Sequence, residues 1–153
     1  MLSTSLDTVE RFSSYLSEVN LVFFVPKFSY SLKEQEINPR VVYGIDPGII
    51  NVLSFRFSDN IGKLYENSVF LHLYQQQKEI FYYKNKGECD FIVKKGKKVT
   101  QVIQVSYNLK ESKEREIKGL LEAMKTFDLK EGLIITEDTE DEEKIGEKTI
   151  KYQ

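Results

Sequence analysis

The residues that could do chemistry in this 153-residue chain are oxygen donors placed where apolar side chains would be expected. The stretch from Glu79 to Tyr107, EIFYYKNKGECDFIVKKGKKVTQVIQVSY, reads as three strands. Glycines mark its two turns, Asn85-Lys86-Gly87 and Lys94 to Lys98, and β-branched and aromatic residues fill its arms. Strict alternation places Glu88, Asp90 and Ile92 on one side of the second strand. Val102, Gln104 and Ser106 share a side of the third, and a meander brings Asp90 near Gln104. Phe91, Val93, Ile103 and Val105 are expected to build a core on the opposite face. Glu66 adds a carboxylate early in a helix, beside the apolar Phe70 and Leu73. Such a donor set suits a hard, oxygen-ligated ion such as Mg²⁺ or Mn²⁺. One cysteine (Cys89) and one histidine (His72) exclude both an internal disulfide and a zinc site of His and Cys ligands. Cys89 reads as core and His72 as a partly exposed packing residue.

The elements that must hold these residues follow from periodicity. Ser3 to Val19 is an amphipathic helix with Leu6, Val9, Phe12, Leu16 and Val19 on one side, capped by Ser5 or Asp7. Two short strands, Asn20 to Val25 and Phe28 to Leu32, are expected around a Pro26-Lys27 turn. Val41 to Ile45 is a further strand, and Ile49 to Phe57 fits helix or strand equally. A helix is expected from Ile61 and another after Asn108, where Asn108 and Glu111 form a capping box. Ile117, Leu120, Leu121, Met124 and Phe127 make the core stripe of that second helix. Gly132 to Thr136 is a buried strand, Glu137 to Glu143 an acidic loop, and Lys148 to Gln153 a last strand.

Charge is uneven along the chain. Between Lys78 and Lys118 eleven Lys/Arg stand against six Asp/Glu, whereas ten acids face three lysines between Glu122 and Glu147. The basic half suits either a polyanion partner or simply solvated hairpin tips. No apolar run reaches the length of a membrane span, no signal peptide is visible, and no nucleotide-binding motif occurs, which together suit a cytoplasmic protein.

The order helix with Glu66, strand, strand with Asp90, strand with Gln104 and Ser106, helix, strand resembles the core of the PD-(D/E)XK nuclease superfamily. It is closest to the nuclease-like domain found C-terminal to archaeal and bacterial AAA-type ATPases. The resemblance is carried by Leu64 to Phe70, Glu88 to Phe91, Ile103 to Tyr107, Arg115 to Ala123 and Gly132 to Thr136, and it spans nearly the whole chain. It implies an α/β fold, a restriction-endonuclease-like mixed sheet flanked by helices, in residues 46–153. A truncated winged-helix segment (helix plus β-hairpin) in 1–45 would precede it. In working members of the superfamily, acids matching Glu66 and Asp90 bind Mg²⁺ or Mn²⁺, a second acid completes the metal site, and a lysine orients water. Here Gln104 stands at the position of that acid and Ser106 at that of the lysine, so the implied catalytic set is Glu66, Asp90, Gln104 and Ser106. Lys110, Lys113 or Arg115 could replace the cation from the following helix. The resemblance further implies a DNA partner and an ATPase partner. Arg11, Lys27, Lys94, Lys95, Lys97, Lys98, Lys110, Lys113 and Arg115, together with Ser3, Thr4, Ser13, Ser14 and Lys33, offer phosphate contacts, and the N-terminal helix or hairpin offers a dimer surface.

Each site residue also has an ordinary structural reading: Glu66 paired with Lys63, Asp90 with a neighbouring lysine, Gln104 bonded across the ladder. A shorter run, Gly44-Ile45-Asp46-Pro47-Gly48, resembles the first-strand motif of RNase H-like Holliday-junction resolvases, and equally suits a simple reverse turn. Three readings of function follow. The first is a nuclease-like domain with weak or lost phosphodiesterase activity, and the second a non-catalytic interaction module of an ATPase. The resolvase is the last.

Overall fold

Twelve elements arrange the described residues, 5–49 and 61–153 of a computed structural model, into an α/β fold with a six-stranded mixed sheet flanked by helices. In chain order they are α1 (Leu6–Glu18), β1 (Val22–Val25), α2 (Leu32–Ile37), β2 (Val41–Gly44), α3 (Ile61–Gln75), β3 (Glu79–Lys84), β4 (Glu88–Lys95) and β5 (Lys98–Ser106). α4 (Leu109–Thr126), β6 (Glu131–Thr136), β7 (Asp141–Ile145) and β8 (Lys148–Tyr152) complete the chain. The large sheet runs β3-β4-β5-β6-β8-β7. Its first three strands are the expected antiparallel meander. β5, α4 and β6 form a parallel crossover, and β8 is parallel to β6.

Two apolar layers sandwich this sheet. On one face α4 presents Leu120, Ala123 and Met124 to Cys89, Ile92, Val102, Ile134 and Ile150. Each large side chain buried there is worth about 1.5–3 kcal/mol relative to exposure. On the other face Phe70 and Leu73 of α3 pack with Phe91, Val93 and Ile103, and with Val25 and Tyr43 from β1 and β2. Glycine lets α4 lie this close. A Cβ on Gly119 would stand 2.1 Å from the Glu88 carbonyl oxygen, and one on Gly87 would stand 3.0 Å from the Gly119 Cα. Gly87 therefore serves packing, whereas Gly96 and Gly146 supply the positive φ of their hairpins.

Four expectations are corrected. Phe28 to Leu32 is not a strand. Pro26 accepts from the Tyr82 N–H (3.1 Å) and Phe28 donates to the Tyr82 carbonyl (2.7 Å), so the segment runs parallel along the β3 edge. Phe28 then inserts against Phe81 and Phe127. The chain turns into α2, capped by Ser31, whose hydroxyl accepts from the Glu34 N–H. The β1 partner is β2 instead, with Val25 opposite Val41. Glu137 to Glu143 is not all loop either, because Asp141–Ile145 forms the edge strand β7, where charge is tolerated and discourages further pairing. Asn108 precedes α4 but its side chain makes no capping bond, while Ser112 Oγ donates to its carbonyl.

The fourth correction concerns the faces of β4. Phe81 pairs with Ile92 and Tyr83 with Cys89, so Tyr82 alone opposes both Asp90 and Phe91. This β-bulge breaks the alternation, so Cys89 and Ile92 lie in the same α4-side core while Phe91 lies on the other side. α1 forms as expected, with Ser5 accepting from the Thr8 N–H. None of its residues is buried, and its apolar row stays exposed, Phe12 by 57% and Val19 by 64%. Ser3, Thr4 and most of the Ile49 to Phe57 segment lie outside the described residues.

Candidate functional site

The bulge at Asp90 and the second turn of α3 meet at one end of the sheet. Glu66 is buried on α3 with Asn67, Phe70 and Leu73, and both of its carboxylate oxygens are engaged. Oε1 accepts from the Tyr43 hydroxyl at 2.7 Å and Oε2 from Lys63 Nζ at 2.5 Å. Tyr43 is held flat against Phe70, with ring centroids 4.5 Å apart. Burial and the facing Glu66 carboxylate both push the Tyr43 hydroxyl's pKa up, so it stays a donor. Asn67 clamps the same strand, accepting from the Gly44 N–H (2.8 Å) and donating to the Gly44 carbonyl (2.9 Å).

Asp90 is where the electrostatics are unusual. Its Oδ2 accepts from the Val105 N–H at 2.9 Å. Burial, followed by the Glu66 charge, pushes its carboxyl up from 3.8 to about 7, against the opposing influence of that N–H and of Lys63. Two carboxylates from different elements are thus held near one another in a partly desolvated place, and one keeps its proton near neutrality. Cys89 beside them is fully buried, its thiol pushed up by desolvation, and it is unreactive core as expected. His72 is exposed, 2.7 Å from Gln76.

Gln104 lies next to Asp90 as the meander implies, but it meets the backbone. Its Oε1 accepts from the Asp90 N–H at 3.1 Å, and its Nε2 donates to Glu116 Oε2 at 2.6 Å. The bulge frees that N–H from the ladder, and the amide takes it up. Ser106 is buried, with its Oγ 2.8 Å from Ser112 Oγ. Since Ser112 donates to the Asn108 carbonyl, Ser106 donates to Ser112, which ties the end of β5 to the first turn of α4. Glu116, Tyr43 and Asn67 complete the network and were not singled out in the sequence. Glu116 had a readable signal, because it falls on the Leu120, Ala123 and Met124 stripe and is 5% exposed. Arg115 satisfies its other oxygen at 2.6 Å.

Glu66, Asp90, Gln104, Ser106 and Glu116 line a cleft of about 800 Å³ between α3, β5 and α4, whose rim carries Lys63, Lys86, Arg115 and Lys118. Among the described residues no group of three or more His, Cys, Asp or Glu side chains is placed to hold a metal ion. The donor set that remains, Glu66 and Asp90, still suits Mg²⁺, which is often held by one or two carboxylates plus water and phosphate oxygens. Gln104 contributes its amide to the protein instead.

The sequence-predicted cations scatter. Lys94, Lys95, Lys97 and Lys98 lie at the far end of β4 and β5; five residues of strand put Lys95 about 17 Å from Asp90. Lys94 pairs with Glu79 at 3.0 Å. Lys113 pairs with Glu143 at 2.9 Å, and Lys110 borders a separate cleft with it. Arg11 and Ser14 are exposed on α1 and Ser13 is half-buried there, and Lys33 is exposed on α2. Of the three candidates for the missing lysine, Arg115 alone lines the main cleft, and it is tied to Glu116. Lys63 was expected only as a helix partner of Glu66, and it is one. Asp46 of the Gly44–Gly48 run leaves the two-stranded ribbon and accepts from the Gly48 N–H at 2.6 Å, closing a turn.

No helix among the described residues is long and apolar enough to cross a membrane. A family model described as a domain of unknown function (DUF4143) matches residues 61–152. An uncharacterized protein of Methanocaldococcus jannaschii is 38% identical over 131 residues, which cover 82% of this chain and 28% of that protein. The chain therefore spans well under half of that relative's length. No solved structure matches the chain. With the family match running from α3 through β8, the chain belongs to the family of this domain of unknown function, DUF4143.

Proposed function

We propose that the chain is a nuclease-like, nucleic-acid-associated domain in which Glu66 and Asp90 hold one divalent cation and phosphodiester hydrolysis is weak or lost. One observation carries this reading: carboxylates from α3 and β4 line one cleft in a partly buried setting, where desolvation first and the repelling Glu66 charge second push Asp90 up. A fold bears that repulsion at a cost, and a cation between the groups relieves it. When bound, Mg²⁺ or Mn²⁺ would supply a Lewis acid for a phosphoryl oxygen. The chain's own residues would orient that phosphate but activate water poorly. Gln104 brings no negative charge, Ser106 brings no cation, and Lys63, Lys113 and Arg115 are all ion-paired. Transition-state charge thus goes largely uncompensated.

The test is thermal melting with and without Mn²⁺, beside nicking of supercoiled plasmid, for wild type, Glu66→Ala and Asp90→Asn. A Mn²⁺-dependent rise in Tm lost in both variants supports the reading, with plasmid nicking absent or faint. No shift in the wild type refutes the cation site.

A second reading, an interaction module of a larger ATPase, is favoured by α1, whose apolar row Leu6, Val9, Phe12 and Leu16 is exposed among the described residues. The relative's much greater length supports the same view. Here the Glu66–Asp90–Gln104 network only stabilises the fold.

A further inference from the structure

Two clefts meet at the carboxylate pair. One is the cleft beside α4. The other, of about 360 Å³, runs toward the N-terminal segment and is lined by Lys27, Arg40 and Lys84. Lys63, Glu66, Glu88 and Asp90 line both. The two clefts adjoin at these shared residues, and together we read them as one groove that crosses the pair. Along it Lys27, Arg40, Lys63, Lys84, Lys86, Arg115 and Lys118 outnumber Glu66, Glu88, Asp90 and Glu116, in a chain whose net charge is −2. Lys63, Lys84 and Arg115 are each paired to one of those carboxylates. Among the described residues Lys27, Arg40, Lys86 and Lys118 form no ion pair; the first two line one cleft and the last two the other, with Glu66 and Asp90 common to both.

Cations on both sides of a point, rather than gathered at it, suit a chain of phosphates better than a single one. A strand laid across the carboxylates would meet repulsion at the centre and compensation at both flanks. We propose that one sugar–phosphate strand lies along this groove, with Lys27 and Arg40 holding phosphates on one side of the carboxylate pair and Lys86 and Lys118 on the other. The β4–β5 turn lysines, at the opposite end of the sheet, take no part. This takes nucleic acid as the polyanion from the proposed function; the path and the four residues come from the groove itself.

The test is fluorescence anisotropy in EDTA with single-stranded DNA, duplex DNA and single-stranded RNA oligonucleotides. It compares wild type, Arg40→Gln/Lys118→Gln and Lys95→Gln/Lys97→Gln. All four positions are exposed, and melting curves verify that each variant folds. The groove variant is expected to bind about tenfold more weakly, with a single-strand salt slope lower by about 1.4 for two lost phosphate contacts; the turn variant should match wild type. Tighter binding of either single strand than of duplex places one strand in the groove. Loss confined to the turn variant, preference for duplex, or no binding to any oligonucleotide overturns the proposal. EDTA keeps this result separate from the cation site, which Mn²⁺-dependent melting tests without nucleic acid.

Discussion

Replacing Asp90 with asparagine should stabilise the protein at alkaline pH. The ordinary value for this carboxyl is 3.8 and the fold holds it at about 7. Between those values the native state binds more protons than the unfolded chain, so stability falls as pH rises from about 4 to about 7 and then levels. At about 1.4 kcal/mol per unit, the full cost of ionising Asp90 in the fold is about 4 kcal/mol, nearly all of it present at pH 8. Asparagine keeps an oxygen for the Val105 N–H and removes the charge that opposes Glu66. It gives back about 1 kcal/mol, because a neutral acceptor is weaker than a carboxylate. The stability of Asp90→Asn relative to wild type should therefore improve by about 2–3 kcal/mol between pH 5 and pH 8. Urea denaturation of both proteins at the two pH values, in EDTA, measures this. A difference that does not vary with pH, or a variant less stable than wild type at pH 8, would refute the picture of an Asp90 carboxyl held up by burial and by the Glu66 charge.

Other expectations follow from single contacts. Gly119→Ala should lose about 3 kcal/mol or fail to fold, since its Cβ would meet the Glu88 carbonyl, and a melting curve would reveal it. Asn67→Ala strands the Gly44 N–H and carbonyl and should cost about 2–3 kcal/mol in urea denaturation. Glu116→Ala leaves the Gln104 amide unpartnered and should cost about 2–3 kcal/mol, whereas Glu116→Gln should recover most of it. Phe12→Ser/Leu16→Ser replaces two exposed side chains, so stability should change by under about 0.5 kcal/mol. If α1 is a docking face, the same variant should lower self-association in sedimentation at high concentration.

How far these features are legible in the chain depends on the range of the forces that make them. The meander, the α4 stripe and the Gly132–Thr136 strand follow from local periodicity, and all are present. The bulge at Asp90 has no local signature. It arises because Tyr82 opposes two residues of β4, and that extra residue turns Asp90 away from the face alternation assigns to it. Phe28 has strand composition, yet its ring is drawn between Phe81 and Phe127, and the Ser31-Leu32-Lys33-Glu34 cap that starts α2 was the signal to weigh against it. Tyr43 was hidden altogether, because its hydroxyl meets Glu66 only once β2 docks on α3. The basic turn Lys94 to Lys98 drew attention through charge density alone, whereas the groove cations come from four separate segments.

The most direct measurement is Mn²⁺ uptake followed by electron paramagnetic resonance of the free ion at pH 8. Wild type should bind one Mn²⁺ per chain, and neither Glu66→Gln nor Asp90→Asn should bind any. No uptake by folded wild type, or uptake that survives both substitutions, would contradict the claim that this carboxylate pair is a cation site.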